Sequence, residues 1–329
     1  MEGSASLKTI ADEAGVSIST VSRAFTRPDL LGDRTRAEIM AIAERVGYQP
    51  NRSARGLVTG RTATLGLLVP DIANPFFPPL VRAAEDRAYE RGYAVLLMDT
   101  DEHADRERVL LRDLVGRVDG VVLCSPRSPA GQIREIAAQR PLVCVNRSIP
   151  GVSSVLCSTR DGLGHLVDHL HSLGHRRIVY LAGPASSWSD RERRNSVRRQ
   201  AAKRDMLVEL LGPYPATFAG GILAGDAVAA SGATAAVAFD DVVALGALRR
   251  LSERGYAVPG QISISGCDDI FFAEMTLPAL TTVATPIADA GRAAVDLLLS
   301  ELDGRHRIQQ IAIPAQFVVR GSTGPAPLP

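Results

Sequence analysis

The stretch SLKTIADEAGVSISTVSRAF, residues 6–25, holds two short helical patterns on either side of a glycine. Leu7 and Ile10 fall at the spacing of one helix face, which predicts a first helix with one apolar side. Gly15 can adopt the positive φ of a tight turn, and Ser17 then stands where an N-cap belongs. The pattern therefore predicts a helix, a sharp turn and a second helix.

The second helix and a third one complete a small core in the sequence pattern. Val21, Ala24 and Phe25 recur at helical spacing and can pack on the first helix. A third apolar stripe predicts a helix over residues 33–46, with Gly47 as its C′ residue. Two helices joined by a tight turn and supported by a third predict a helix-turn-helix module, which places one helix in the major groove of DNA.

Several stretches of the chain resemble the lactose-repressor (LacI/GalR) family. IADEAGVSISTVSRAF at 10–25 is similar to the DNA-binding head of that family, and VGYQPNRSARGL at 46–57 is similar to its hinge. Stretches that resemble its effector-binding core are DIANPFF at 71–77, HSLGHRRIVYLAGP at 171–184, ISISGCDD at 262–269 and LPALTTV at 277–283. The resemblance covers nearly the whole chain. It implies a DNA-binding transcriptional repressor whose operator affinity is modulated by a small-molecule effector.

The resemblance implies roles for individual side chains of the head. Ile18, Ser19 and Arg23 are expected to contact base edges in the major groove. Contacts to phosphates, which fix register without reading sequence, are expected from Ser6, Ser17, Thr20, Ser22, Thr35 and Asn51. The residues themselves leave alternatives open. Ile18 stands three positions before Val21 and could join the core instead, and the serines could act only as helix caps.

The segment 51–61 resembles the hinge helix that forms on operator DNA. Ala54 and Leu57 are its expected DNA-contacting residues, and the resemblance implies that Leu57 wedges into the minor groove and bends the site. The alternative for Leu57 is an exposed leucine in a linker. A short peptide helix is marginal by itself, so folding of this segment is expected to need DNA and a dimer partner.

Composition is typical of a protein with two functional parts. The 329 residues exceed one ordinary domain, and 46% hydrophobic residues suffice for a sizeable core. The net charge is +1, of which residues 1–61 carry +2 and the remainder −1. Four scattered cysteines, Cys124, Cys144, Cys157 and Cys267, predict reduced, buried thiols. No apolar run reaches the length of a membrane span and no signal-peptide pattern opens the sequence, so a cytoplasmic location is expected.

From Thr62 onward, short β-branched runs alternate with amphipathic helices, which predicts parallel sheets covered by helices. The runs TATLGLLVP, YAVLLMD, GVVLC, PLVCV and SSVLC form a first series, and the series restarts with RIVYLAG, AAVAF and ISISG. With the resemblance, the expected fold class is an N-terminal all-α helix-turn-helix head plus an α/β periplasmic-binding-protein-like core of two parallel-sheet subdomains. Ligands are expected in the cleft at the carboxyl ends of the strands.

The expected domain boundaries follow from these patterns and from three chain crossings that the resemblance implies. They are a head at 1–50, a hinge at 51–61, an effector-binding core at 62–322 and a tail at 323–329. Within the core, the N-subdomain is expected at about 62–160 and 286–312, and the C-subdomain at about 161–285 and 313–322. The tail is rich in Pro and Gly and is expected to be disordered. Nothing like the family's C-terminal heptad segment follows Arg320, so a homodimer on pseudo-palindromic double-stranded operator DNA is expected.

The resemblance implies an effector pocket formed by Asn74, Phe76, Phe77, Asn146, Arg193, Asp240 and Asp268. Arginine and aspartate in a cleft suit hydroxyl-rich or purine-like ligands, because fixed donors and acceptors left unpaired by a wrong ligand are costly. The alternative for Arg193 is a solvated helix face, since four further arginines surround it in the sequence.

The chain departs from the family pattern at several positions. In the head, Thr26 replaces the usual Asn and Gly32 replaces the usual capping Ser. In the core, the usual Arg-Leu-x-Gly-Phe is Arg-Arg-Asn-Ser-Val at 193–197, the usual Asn-Asp is Asp240-Asp241, and Cys267 replaces an aromatic residue. The core departures disfavour a standard hexose as the effector.

Two other classes of protein compete with this interpretation. A periplasmic solute-binding protein shares the core fold but needs a signal peptide and lacks a head of this kind. An α/β enzyme is disfavoured because the chain has no Gly-x-Gly-x-x-Gly fingerprint, no Walker lysine motif and no Gly-x-Ser-x-Gly elbow. His165 and His169 have the spacing of a metal pair on a helix, but no third ligand pattern accompanies them. No catalytic residue, cofactor or metal is expected.

Overall fold

A computed structural model describes residues 6–26, 30–48, 61–305 and 307–327 of the chain. The chain divides into two compact units, and the second begins at Thr64. Among the described residues, no helix combines the length and the apolar character needed to cross a bilayer.

The first unit is a three-helix head. Its helices are α1 (Leu7–Ala14), α2 (Ile18–Thr26) and α3 (Asp33–Arg45). Gly15 ends α1 with a φ of 64°, in the left-handed conformation that glycine adopts without steric cost. The helices bury one apolar cluster at their centre, made of Ile10, Ala11, Val21, Ala24, Ile39, Ile42 and Ala43. The predicted helix-turn-helix core is therefore present in the structure.

The second unit alternates strands and helices. Its strands are β1 (Thr64–Val69), β2 (Ala94–Asp99), β3 (Gly120–Cys124), β4 (Leu142–Val145), β5 (Ser153–Ser158), β6 (Arg177–Leu181), β7 (Leu207–Leu211), β8 (Ala235–Ala238), β9 (Ser263–Ser265), β10 (Thr282–Ala284), β11 (Gln310–Pro314) and β12 (Gln316–Val318). Its helices are α4 (Phe77–Glu90), α5 (Ala104–Val115), α6 (Ala130–Ala137), α7 (Arg160–Ser172), α8 (Trp188–Ala202), α9 (Phe218–Ser231), α10 (Asp241–Glu253) and α11 (Ile287–Leu302).

The strands form two parallel sheets and a small antiparallel pair. One sheet has six strands in the order β11-β5-β4-β3-β1-β2, and the other has four in the order β7-β6-β8-β9. The strands β10 and β12 pair where the chain passes from one subdomain to the other. The chain passes between the two subdomains after β5, after β10 and after β11. The expected fold class, a helical head followed by two parallel-sheet subdomains, is confirmed.

The sheets are covered by helices that approach the strands and one another closely. In the C-subdomain, α9 packs against α10, where a Cβ added to Gly221 would stand 2.4 Å from the Val243 carbonyl oxygen. Only glycine allows this approach of the two helix backbones. All four cysteines are free, and three of them are buried as predicted. Burial raises the pKa of the Cys144 thiol to about 12, which leaves it protonated and unreactive at neutral pH.

The C-terminal segment contradicts the expected disordered tail over residues 323–327. The Ser322 hydroxyl donates to the Ile264 carbonyl at 2.6 Å and accepts from the Thr281 amide at 2.8 Å. Gly324 follows with an amide that donates to the Ser263 hydroxyl at 3.0 Å and a carbonyl that faces the His175 ring. The segment thus satisfies polar groups along β9 and at the end of α7, and these contacts order it in spite of its Pro and Gly content.

Ser322→Ala is expected to lower the free energy of unfolding by about 1–3 kcal/mol, because it leaves a buried carbonyl and a buried amide without partners. Urea denaturation followed by circular dichroism measures the effect. Ser186→Ala, at an exposed loop position, is the matched control and should stay within about 0.5 kcal/mol of the wild type. Equal stability of the two variants would mean that the segment contributes nothing to the fold.

Candidate functional site

The outer face of α2 carries the side chains predicted to read bases. Ile18 exposes 49% of its surface, so it does not join the head's core, where Val21 is fully buried. Ser19 and Arg23 are also exposed. The alternative of a core isoleucine is therefore excluded, and the three side chains lie on the open side of one helix.

The serines at the helix starts are caps in the structure. The Ser6 hydroxyl accepts from the Thr9 amide at 3.2 Å, and the Ser17 hydroxyl accepts from the Thr20 amide at 3.1 Å. Ser17 also exchanges a hydrogen bond with the Ser19 hydroxyl at 2.7 Å. A capped helix start still directs free backbone N–H groups outward, so capping and phosphate contact are compatible roles.

The structure describes two of the other predicted DNA-contacting residues and leaves three outside the described residues. Thr35 is half-buried near the start of α3, where Gly32 occupies the N-cap without a side-chain bond. Ser22 is half-buried on α2. The hinge predictions at Asn51, Ala54 and Leu57 lie outside the described residues, as does the whole 51–60 part of the expected hinge.

All the predicted effector residues converge on one cavity in the second unit. Its volume is about 30 Å³, little more than the space that one water molecule needs, so the cleft is nearly closed in this structure. The cavity is lined by Asn74, Phe76, Phe77, Glu102, Ser125, Arg127, Asn146, Ser187, Ser189, Arg193, Ala216, Phe239, Asp240 and Asp268. The lining comes from both subdomains, as the cleft hypothesis requires.

Several of these residues follow the carboxyl ends of strands and hold a strained backbone. Glu102, Ser125, Asn146 and Asp268 have φ values of 58°, 42°, 56° and 125°. Non-glycine residues rarely adopt such values, and each costs on the order of 1–3 kcal/mol unless its surroundings enforce it. Strain of this kind clusters at ligand sites, where it aims side chains that a relaxed strand end would turn elsewhere.

A buried ion pair forms the C-subdomain wall of the cavity. Arg193 donates to an Asp268 carboxylate oxygen at 2.6 Å and to the Phe239 carbonyl at 2.7 Å. Each of the paired side chains exposes 6% of its surface. Burial alone would lower the pKa of Arg193, but the charge of Asp268 and its hydrogen bond raise it. Arg193 is therefore a fixed cation at the cavity, and the alternative of a solvated helix face is wrong.

Asp240 brings an unused acceptor to the same cavity. One of its carboxylate oxygens accepts from the Val243 amide at 2.8 Å and caps α10. The other oxygen is buried and has no partner among the described residues. Burial raises the pKa of Asp240 to about 7. A buried oxygen without a hydrogen-bond partner is costly, so a ligand hydroxyl, which donates to the charged carboxylate and accepts from the protonated one, would be selected strongly here.

The neighbouring carboxylates, in contrast, have internal partners. Asp241 accepts from the Thr282 hydroxyl at 2.6 Å and from the Ile270 amide at 2.9 Å. Asp269 pairs with Arg320 at 2.7 Å. Only one member of each adjacent pair lines the cavity, and the other one bonds to loops of the C-subdomain.

The N-subdomain contributes an ion pair that sequence reasoning missed. Arg127 is 8% exposed and binds both carboxylate oxygens of Glu102, at 2.5 and 2.8 Å. The Glu107 carboxylate beneath it accepts from the Arg127 and Ser128 amides at 2.8 and 2.9 Å. Glu102 and Arg127 follow different strands, and nothing in their local sequence marks them as partners. Their meeting is a product of the parallel sheet.

The helix that carries Arg193, α8, begins ahead of that residue. The structure begins it at Trp188, with Ser187 as the N-cap accepting from the Asp190 amide at 3.1 Å. The Ser-x-x-Asp spacing was the available signal, because it is a capping pattern. The earlier start brings Ser189 to the cavity.

The histidines with metal-pair spacing have another environment in the structure. The His169 ring bonds to the Thr323 hydroxyl at 2.9 Å and packs against Phe317 at 5.4 Å between ring centroids. Among the described residues, no group of three or more His, Cys, Asp and Glu side chains has the arrangement of a metal site.

Two family descriptions match separate parts of the chain. Residues 6–51 match the family described as bacterial regulatory proteins, lacI family. Residues 167–323 match the periplasmic binding protein-like domain. The first match falls on the head and the hinge start. The second covers most of the C-subdomain together with α11 and β11 of the N-subdomain.

Individual relatives match along nearly the whole chain. The HTH-type transcriptional regulator PtxS of Pseudomonas plecoglossicida is 31% identical over 327 residues, covering 96% of this chain and 95% of its own. The lac repressor dimer, solved bound to operator and the anti-inducer ONPF, is 27% identical with a TM-score of 0.86, covering 98% of this chain and 100% of that one. A LacI family transcriptional regulator from Enterococcus faecium with bound ribose is 30% identical with a TM-score of 0.71, covering 81% and 100%.

Asp240→Asn is expected to reduce the pH dependence of stability between pH 4 and pH 7. The folded pKa of Asp240 is raised from 3.8 to about 7, so the folded state holds a proton in this window that the unfolded state has lost. Its contribution to stability is therefore present at low pH and falls as the pH rises toward 7.

Urea denaturation at a series of pH values tests this. Asparagine keeps the cap on the Val243 amide, whereas Asp240→Ala loses it and should cost about 0.5–2 kcal/mol at every pH. A decline between pH 4 and pH 7 as steep in Asp240→Asn as in the wild type would contradict a buried, protonated Asp240.

Proposed function

The chain belongs to the lacI family of bacterial regulatory proteins, and from that premise we propose that it is a transcriptional repressor that binds operator DNA as a dimer. A small polar ligand held in the cleft modulates its affinity for the operator. The observation that carries the proposal is the convergence of the cleft residues on one cavity with a buried, unpartnered acceptor.

The head supports the DNA-binding part of the proposal. Ile18, Ser19 and Arg23 lie exposed on α2, and each is suited to a different contact. An arginine binds guanine edges with two hydrogen bonds, a serine reaches either base type, and an isoleucine packs on a thymine methyl group. Capped starts of α1 and α2, at Ser6 and Ser17, offer backbone amides to phosphates. Leu57 remains the proposed minor-groove wedge.

The cleft defines the chemistry of the ligand. The unpartnered Asp240 oxygen requires a group that can donate or accept, such as a hydroxyl, while Arg193 and Asn146 offer donors and an acceptor beside it. Phe76 and Phe77 contribute apolar rings from the N-subdomain, 5.0 Å apart between centroids. A hydroxyl-rich ring offers both polar groups and an apolar face, and the Enterococcus faecium relative was solved with bound ribose. We propose a sugar-like metabolite of this class.

An apolar groove supports the dimer. A cavity of about 680 Å³ lies on the outside of the core and is lined by Pro75, Ala216, Phe218, Val242, Leu245, Leu248, Ile270, Phe272 and Leu277, among others. Leu277 is 98% exposed and Phe272 is 48% exposed. Contiguous apolar surface of this kind is typical of a subunit interface. The occupant we propose is a second copy of the chain, as in the dimeric lac repressor relative.

A non-enzymatic role agrees with the arrangement of the cleft. Its carboxylates are either paired, as Asp268 is, or used as a helix cap, as Asp240 is. The hydroxyl and carboxylate groups that line the cleft serve as fixed hydrogen-bonding groups. The relatives PtxS and the lac repressor are transcriptional regulators. We propose that the ligand acts by binding one arrangement of the subdomains better than another, and that it is released chemically unchanged.

Arg23→Ala is expected to lower discrimination between the operator and random DNA by about 1–3 kcal/mol, because one bidentate base contact is lost. Competition gel shifts at fixed salt, on a site selected from random duplexes, measure it. Arg45→Ala removes a surface arginine of the same head that pairs with Glu13 at 2.7 Å, and it should change specificity little. Equal losses in both variants would mean that α2 does not read bases.

Leu277→Arg is expected to convert the dimer into a monomer, because a charge would enter the apolar interface. Sedimentation velocity gives the mass, and gel shifts give the operator affinity, which should fall at least tenfold as one half-site contact is lost. Leu207→Arg, on a strand position 67% exposed, is the matched control and should remain dimeric. A dimeric Leu277→Arg protein would exclude the groove as the interface.

A further inference from the structure

The closed cleft continues into two larger cavities on one side. A cavity of about 260 Å³ shares Asn146, Ser189 and Arg193 with the cleft cavity. A further cavity of about 270 Å³ shares Arg160, Glu192 and Arg199 with the second one. The three cavities are therefore neighbours, in a row that runs from the buried ion pair outward along α8. A ligand that occupied all three would extend from the buried ion pair to the outer end of α8.

The middle cavity has an aromatic wall. Trp188, the single tryptophan of the chain, is half-buried at the first position of α8 and lines this cavity. Ser196 and Ser158 add hydroxyl groups, and Cys157 adds an apolar surface, since burial raises the pKa of its thiol to about 12. An indole face beside hydroxyls is a surface on which a sugar ring or a base can lie.

The outer cavity is cationic. Arg160, Arg199 and Lys203 line it together with one carboxylate, that of Glu192, which leaves a net charge of +2 around the concave surface. Within the described parts of the chain, no ion pair or side-chain hydrogen bond is formed by these three cations. Arg204, next to Lys203, pairs in contrast with Asp168. Three cations thus surround one depression with a single carboxylate, which offsets only one of the three charges.

Guanidinium groups are well suited to bind phosphate or carboxylate, because their planar fork matches two anionic oxygens. A solvated basic helix face is the competing explanation, and Arg198 on the same helix represents it. Arg160, Arg199 and Lys203 are exposed as Arg198 is, but they line the cavities, whereas Arg198 lines none of the three. Arg160 belongs to α7 and Arg199 to α8, so the cations come from two helices and meet at the cavity.

We propose that the effector is an anionic ligand that reaches from the cleft cavity into the two adjoining cavities, with three parts. A hydroxyl group meets Asp240, a ring lies against Trp188, and a terminal phosphate or carboxylate binds Arg160, Arg199 and Lys203. The inference rests on the proposed effector-binding function and specifies its ligand class, an acidic sugar or sugar phosphate.

Matched neutral and anionic ligands test the proposal on the full-length protein. Ribose and ribose 5-phosphate, glucose and glucose 6-phosphate, and galactose and galacturonate form the pairs, with inorganic phosphate alone as a further probe. Trp188 fluorescence reports occupancy of the middle cavity, and calorimetry gives affinities. At least one anionic member should bind about tenfold or more tightly than its neutral partner and change the Trp188 emission. Neutral members that bind equally well or better, or a panel without any anionic binder, would overturn the proposal.

Paired variants separate the cationic cavity from general surface charge. Arg199→Gln and Arg160→Gln should reduce the anionic-to-neutral affinity ratio at least about tenfold, because a charge-assisted hydrogen bond is lost. Arg198→Gln changes the net charge equally and should leave the ratio unchanged. A ratio that falls to the same extent in all three variants would mean long-range attraction only and would overturn the site. Operator binding by the ligand-free wild type tests the proposed function separately.

Discussion

The buried ion pair between Arg193 and Asp268 is the interaction on which the cleft depends. Two charges with only 6% of their surfaces exposed are tolerated only where each is hydrogen-bonded as well as paired. The Phe239 carbonyl supplies the further acceptor for Arg193, and this carbonyl immediately precedes Asp240. The pair therefore ties α8 to the carboxyl ends of β8 and β9, and it fixes the wall against which a ligand has to fit.

The strand ends supply the rest of the site. Parallel strands deliver their carboxyl ends to one edge, so residues far apart in the sequence meet there. Strained backbone at Glu102, Ser125 and Asn146 aims the N-subdomain side chains across the cleft. A site built from two opposed sheet edges changes shape when the subdomains move, and a ligand that binds one arrangement better shifts the balance toward it. This is the physical basis for a ligand-controlled regulator.

The sequence predicted the helical head and the parallel-sheet core because their signals are local: a 3.6-residue period, a glycine stop and β-branched runs. Family resemblance placed the predicted effector residues, and all of them line one cavity. It could not reveal the Glu102–Arg127 pair, which joins two strand ends 25 positions apart. The Pro and Gly content of the tail predicted disorder wrongly for residues 323–327, since Gly324 finds a partner at Ser263, 61 positions away. Contacts of that range depend on the finished fold and leave no local pattern.

The central claim is that the cleft and the DNA-binding head are energetically coupled. Operator affinity measured with and without a saturating cleft ligand, chosen as the tightest binder of the sugar and sugar-phosphate pairs, tests it most directly. The account predicts a shift of about 1–3 kcal/mol in operator affinity, and a shift of equal size in ligand affinity when operator DNA is bound. A ligand that binds the cleft tightly and leaves operator affinity unchanged would contradict it.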